Sequence, residues 1–188
     1  MKKKSLFAVL DYETTGLPFH PLADLDLQPR AIEFAGIITD GIEVIDTLEF
    51  ICNPWREIEP IITQITGLTN EDLEAQEPWV VQLPRIKDYL SQANVVIAHN
   101  LSFDKGIFRN ELRHAGLTFE DINWPKIEIC TVEQTIDKYG RRMKLTELYN
   151  MLVGEYVQKH RALDDVLLLH EVCKSIGVYD MFNKGGVK

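Results

Sequence analysis

The spacing of apolar and polar positions changes several times along the chain, and each change marks an element. Ser5 to Leu10 is an apolar run leading into DYETTG. Ala31 to Thr39 and Ile42 to Ile51 are two further β-rich runs, and Asp40-Gly41 between them predicts a hairpin. After Pro54 the chain turns helical or turn-like through EPIITQITGLTNEDL and on to Trp79–Gln92, with Pro60 and Pro84 limiting the helices. Val95 to Ala98 reads as a short fourth strand. Phe103 to Ala115 has the 3.6-residue period of an amphipathic helix ended by Gly116. Lys126 to Cys130 predicts a fifth strand with a helix behind it to about Lys138, and helices over Leu145–Leu152 and Ala162–Ile176 complete the pattern. An antiparallel three-strand start followed by strands alternating with helices predicts an α/β layered fold with a mixed five-stranded sheet. Residues 1–182 read as one domain without linker or repeat, and 183–188 as a loose tail. The stretch from Pro18 to Arg30, with three prolines, is the longest irregular insertion. It is either a surface loop or a contact with substrate or partner.

Composition narrows the setting. A chain of 188 residues, 45% of them hydrophobic, can bury a sizeable core. Cys52, Cys130 and Cys173 stand far apart, so neither a disulfide framework nor a zinc site is indicated and a reducing cytoplasm is expected. The positive start MKKK precedes only six apolar or small residues before Asp11, too few for an export signal. No run is long enough to span a membrane. The net charge of −9 argues at first against a nucleic-acid partner, because phosphate binding draws on Lys and Arg. Local charge decides the matter: if four acidic residues hold two divalent cations, about four positive charges return where a phosphate must sit.

Three groups of carboxylates carry candidate chemistry. Asp11 and Glu13 end the first strand two residues apart, which puts both side chains on one face about 6.6 Å apart along the backbone. Gly16, just beyond, permits a tight turn and close approach by a ligand. Asp104 heads the stripe Ile107, Phe108, Leu112 and Ala115, the helix face expected to be buried. In HRALDD, periodicity separates two neighbours: Asp165 leads the core-facing stripe of Leu168, Leu169, Val172 and Ile176, whereas Asp164 aligns with Glu171 and Ser175. In one continuous helix His160 would point about 140° away from Asp165, so it belongs to an entry turn from which it can swing to the same place. Burying four carboxylates together without cations would be prohibitive. Oxygen ligands favour Mg²⁺ or Mn²⁺, and two such ions suit attack on a phosphodiester.

The three motifs VLDYETTGL, AHNLSFD and HRALDD, with the intermediate ITQITGLTNEDL and KLTEL, resemble the DEDDh, or DnaQ-like, 3′→5′ exonucleases over nearly the whole chain. That group includes proofreading subunits of bacterial replicative polymerases. The resemblance implies a ribonuclease H-like fold in which Asp11, Glu13, Asp104 and Asp165 hold two ions and His160 is general base toward water; an imidazole of ordinary pKa near ~6.5 can accept that proton. It further implies that Thr14, Thr15 and Gly16 hold the terminal nucleotide, with Leu17 and Phe103 against its base and His99 or Asn100 near the phosphate. The expected partner is a single-stranded nucleic acid 3′ end, DNA before RNA, with a DNA polymerase as a further candidate. The basic cluster Lys138, Arg141, Arg142 and Lys144 either tracks a strand backbone or is a solvated helix end. An inactive fold serving as a binding module is the rival from another class.

Overall fold

The computed structural model describes residues 5–20, 23–157 and 160–183. One sheet organises them. Its strands are β1 (Phe7–Thr14), β2 (Ala31–Thr39), β3 (Val44–Ile51), β4 (Val95–Ala98) and β5 (Ile127–Cys130), in the order β3-β2-β1-β4-β5. β1–β2 and β2–β3 are antiparallel; β1–β4 and β4–β5 are parallel. This is the mixed five-stranded α/β architecture expected. The β2–β3 turn closes where Asp40-Gly41 predicts it, with the Asp40 carboxylate accepting from the Ile42 and Glu43 N–H groups at 2.8 and 2.9 Å.

The helices are α1 (Pro60–Thr66), α2 (Asn70–Glu74), α3 (Leu83–Ser91), α4 (Leu101–His114), α5 (Thr131–Tyr139), α6 (Leu145–Leu152), α7 (Ala162–Ser175) and the four-residue α8 (Asp180–Asn183). Pro60 and Pro84 lie in first turns, where their missing N–H groups cost nothing. Trp79–Gln82 forms a 3-10 turn leading into α3. Asn183 closes α8, and the rest of the tail, 184–188, lies outside the described residues. The irregular insertion holds one 3-10 turn, Leu25–Leu27, while Pro21 and Leu22 lie outside the described residues.

Strand alternation sends the residues of β1 to two cores. Ala8, Leu10 and Tyr12 pack with Phe34, Tyr89, Ile107 and Phe108 under α3 and α4. Phe7 and Val9 pack with Leu148, Val166, Leu169 and Cys173 under α6 and α7. Asp11 and Glu13 continue the Phe7–Val9 row, so they emerge on the α7 face. Asp11 and Glu13 lie at the end of β1 as expected, and pairing with β2 carries the strand one residue further, to Thr14. The start of one helix corrects the sequence reading. α4 begins at Leu101, two residues before the expected Phe103, so Asp104 sits within its first turn rather than at its head.

Candidate active site

β4 pairs with β1 only through Phe7, Ala8 and Val9. Beyond that point the β1 edge is open, and α4 fills the gap: Asp104, 1% exposed, accepts the Tyr12 backbone N–H on Oδ1 at 3.2 Å. Its Oδ2 is buried and has no hydrogen-bond partner among the described residues. The Asp104 carboxylate thus reaches Asp11 around the sheet edge, at the carboxyl ends of parallel β1 and β4, where open α/β sheets place their ligands.

The third segment arrives from the other face. His160 lies outside α7 in the left-handed region, at φ 50°, a conformation that costs a non-glycine residue about 1 kcal/mol. The next residue holds it there. Arg161 donates from Nε and Nη2 to both oxygens of Glu33 at 2.6–3.1 Å, and the Ala162 N–H adds a further bond at 3.2 Å. Asp165, one turn into α7, is 5% exposed. Glu13, His160 and Asp165 consequently present ligand-type atoms all within 4.8 Å of one another. The five residues Asp11, Glu13, Asp104, His160 and Asp165, separated by up to 154 positions in sequence, meet in one place.

Their electrostatics show what this arrangement costs. Burial, followed by Asp104, Glu13 and Asp165, holds Asp11 well above the ordinary carboxylate range. Burial does the same for Asp104, against the backbone N–H groups that favour its charge. Glu13 is pushed up to about 8, by burial first and then by Asp165, Glu33 and Asp104. A buried acceptor without a donor among the described residues, three carboxyls held from ionising and a donor set of carboxylate oxygens beside one imidazole fit a divalent cation.

A cleft of about 760 Å³ runs over these groups, with Asp11, His160 and Asp165 on one side and His99, Asn100 and Arg142 on the other. Leu17, 81% exposed, stands at its lip and also lines a second, more apolar groove of about 650 Å³ with Gly16, Phe19, Ile61 and Ile65. Other residues expected at the substrate are more occupied. Thr14 Oγ1 donates to the Gly16 carbonyl at 2.7 Å, and Thr15 Oγ1 accepts the Arg30 N–H at 3.0 Å, shaping the turn after β1. Phe103 is half-buried against the α3–α4 core. His99 spends both ring nitrogens inside the protein, 2.9 Å from Thr131 Oγ1 and 3.0 Å from the Met143 carbonyl. A carbonyl can only accept, so Nε2 carries the proton, and burial pushes the ring below its ordinary pKa.

Two positioning pairs escaped the sequence reading. One is Glu33–Arg161. The other is Arg30–Glu111, bidentate at 2.8 and 2.9 Å and 8% and 2% exposed, with the Ala31 N–H also donating to Glu111 at 2.9 Å; it ties α4 to the start of β2. A lone glutamate within the otherwise apolar AIEFAGIIT was the available signal for the first.

Residues 8–173 match the model of the RNase_T exonuclease family. The chain belongs to that family. It is an exonuclease-type phosphodiester hydrolase by descent. A PolC-type DNA polymerase III of Thermotoga maritima is 31% identical over 180 residues, covering 92% of this chain and 12% of that protein. The 3′-5′ exonuclease DinG of Bacillus subtilis is 28% identical over 162 residues, 86% of this chain and 16% of DinG. The chain therefore spans a small part of the curated relatives it matches. Among solved structures, E. coli exonuclease I in complex with a dA16 oligonucleotide superposes with a TM-score of 0.77 at 21% identity, over 96% of this chain and 42% of that one. The nuclease domain of 3′hExo, a DEDDh family member bound to rAMP, superposes with a TM-score of 0.73 at 14% identity, over 98% and 94%. At these identities the likeness establishes the ribonuclease H-like exonuclease fold. No described helix is long and apolar enough to cross a membrane.

Proposed function

We propose that this exonuclease removes nucleoside 5′-monophosphates from the 3′ ends of single-stranded or frayed DNA. The single observation that carries this reading is the gathering of Asp11, Glu13, Asp104, Asp165 and His160 beside one open cleft, which Asp11, Asp165 and His160 line. The four carboxylates are the ligands of two divalent cations, Mg²⁺ or Mn²⁺. Bound there, such ions offset the charge of a phosphodiester and lower the pKa of an attacking water. The protein's own part is positional and acid–base. Glu33 and Arg161 hold the 160–162 turn so that the His160 imidazole can take a proton from that water, a contribution of about 10²–10⁴-fold. The turn Thr14–Gly16 holds the terminal nucleotide, and Leu17, exposed at the lip, and the half-buried Phe103 lie against its base. Asn100 faces the phosphate side of the cleft, and His99 supports that wall through Met143.

DNA is favoured as substrate because the PolC-type relatives are DNA polymerases by name, which also supports a polymerase as working partner. RNA is the second reading, since the 3′hExo neighbour was solved with rAMP. The test is cleavage of end-labelled single-stranded DNA and matched RNA with Mg²⁺, Mn²⁺ or EDTA. Metal-dependent shortening from the 3′ end is expected, faster on DNA. Faster cleavage of RNA would reassign the substrate, and cleavage of neither would point to an inactive binding module.

A further inference from the structure

The chain's dense basic cluster does not act as a unit. Lys138 sits over the Tyr139 ring, 5.2 Å from its centroid, and Arg141 is forked onto Glu147 at 3.1 and 3.1 Å. These two cations have partners within their own segment. Arg142 and Lys144 line the cleft that holds Asp11, His160 and Asp165, and Lys144 does so while also lying within electrostatic reach of Glu147. Arg142 Nη2 donates to Asn100 Oδ1 at 2.6 Å, and Asn100 is itself in the left-handed region, at φ 67°, just before α4. The residue between them, Met143, is pinned through its carbonyl by the His99 Nε2–H at 3.0 Å. Two residues of the segment that leads into Asp104 therefore fix the backbone and the guanidinium of the facing loop.

We infer that Arg142 and Lys144 form a binding site for a non-scissile backbone phosphate of the nucleic acid strand. The inference rests on the exonuclease reading for the identity of the strand. Three physical points support it. The chain carries a net charge of −9 and the cleft floor is made of carboxylates, so a second phosphate needs cations on the wall to remain close. One Arg142 nitrogen is engaged by a neutral amide oxygen, which orients the fork without neutralising it, and an oriented guanidinium loses little entropy on gripping a phosphate. Arg141, one residue away with the same charge, is turned to Glu147 and provides an internal control.

The experiment compares two substrates. The p-nitrophenyl ester of thymidine 5′-monophosphate has the scissile phosphodiester and no other phosphate; a pentathymidylate has both. For Arg142→Ala, KM for the oligonucleotide should rise about tenfold, against less than about twofold for the ester. A plot of log KM against log salt should lose about 0.7 of slope per phosphate contact removed. Lys144→Ala should behave similarly, Arg142→Lys should restore the slope, and Arg141→Ala should change neither substrate. Anisotropy of a fluorescein-labelled phosphorothioate pentathymidylate reads the same slope without turnover. Equal losses on ester and oligonucleotide, or an unchanged oligonucleotide KM and slope, would overturn the proposal. If the wild-type protein cleaves neither substrate but Arg142→Ala still lowers the binding slope, the phosphate site stands and the exonuclease reading falls.

Discussion

Removing the cations and scanning pH should expose an unusual dependence of stability on acidity. Asp and Glu ordinarily stabilise a fold as pH rises, because native partners lower their pKa values. Here the shifts run the other way. Glu13 is pushed up to about 8 and Asp11 and Asp104 are raised by burial and mutual repulsion. In the unfolded chain a glutamate ionises near ~4.3. The contribution of Glu13 is therefore fully present below that pH and is lost as pH rises toward 8. Between the two limits the slope is about 1.4 kcal/mol per pH unit for one group. From pH 5 to 7 the loss is about 2–3 kcal/mol from Glu13 alone, with Asp11 and Asp104 adding in the same sense. At about 2–4 °C per kcal/mol for a chain of this size, the melting temperature in EDTA should fall by roughly 5–10 °C over those two units.

Saturating Mn²⁺ or Mg²⁺ should flatten that slope, because the carboxyls ionise against the cations. Binding at pH 7 must then displace the proton on Glu13 and any on its neighbours. Calorimetry of metal binding in PIPES and in imidazole buffer, whose ionisation enthalpies differ, would count them. At least one proton released at pH 7, and fewer at pH 8.5, is expected. A melting temperature independent of pH in EDTA, together with no proton release, would refute the reasoning and show that these carboxyls are already ionised in the metal-free protein.

Asp11→Ala or Asp165→Ala should abolish hydrolysis while circular dichroism and melting show an intact fold; measurable turnover in either would remove that residue from the site. His160→Ala should lower kcat by about 10²–10⁴-fold and leave calorimetric metal binding in place. Glu33→Ala should free Arg161 and relax the left-handed turn at His160, costing about 1–3 kcal/mol in urea denaturation and lowering kcat at least tenfold, with Arg161→Ala adding little in the same background. Glu111→Gln keeps the shape of the side chain but leaves the 8%-exposed Arg30 side chain without a counter-charge, a loss of about 3 kcal/mol measurable in the same denaturation experiment.

How much of this was legible from sequence depended on whether a feature was local. β2, β4 and α6 begin and end at the residues read from the apolar pattern, since their boundaries are set by neighbouring breakers such as Pro29 and Asp40-Gly41. The choice of Asp165 over Asp164 needed only helical periodicity, and Asp165 is buried while Asp164 is half-buried. Asp11 and Glu13 lie at the end of β1 as the pattern predicts, and the ladder to β2 carries the strand only one residue further, to Thr14. The early start of α4 was hidden because Asn100 enters it through a left-handed backbone and no side-chain cap. Glu33–Arg161 and Arg30–Glu111 join residues 128 and 81 positions apart. No window of sequence shows that they meet; the β1–β2 register and the approach of α7 must be known first.

Those long-range pairs explain how the fold tolerates its own site. Asp11, Glu13, Asp104 and Asp165 come from three separate segments, and their repulsion pushes those segments apart. Each segment is tied down immediately behind its carboxylate. The turn after Glu13 is bonded to Arg30, and Arg30 to Glu111 of α4, the helix of Asp104; the turn before Asp165 is bonded to Glu33, directly opposite Glu13. One tie, Arg30–Glu111, is buried on both sides, and the other sets a buried Glu33 against an exposed Arg161; the net contribution of such pairs to stability is small, but removing the partner of a buried charge is costly. Their effect is to give the cleft a defined shape rather than a collapsed one. A cation arriving there meets ligands already gathered and relieves repulsion that the scaffold had been resisting, so metal binding and thermal stability should rise together in every variant that keeps both ties.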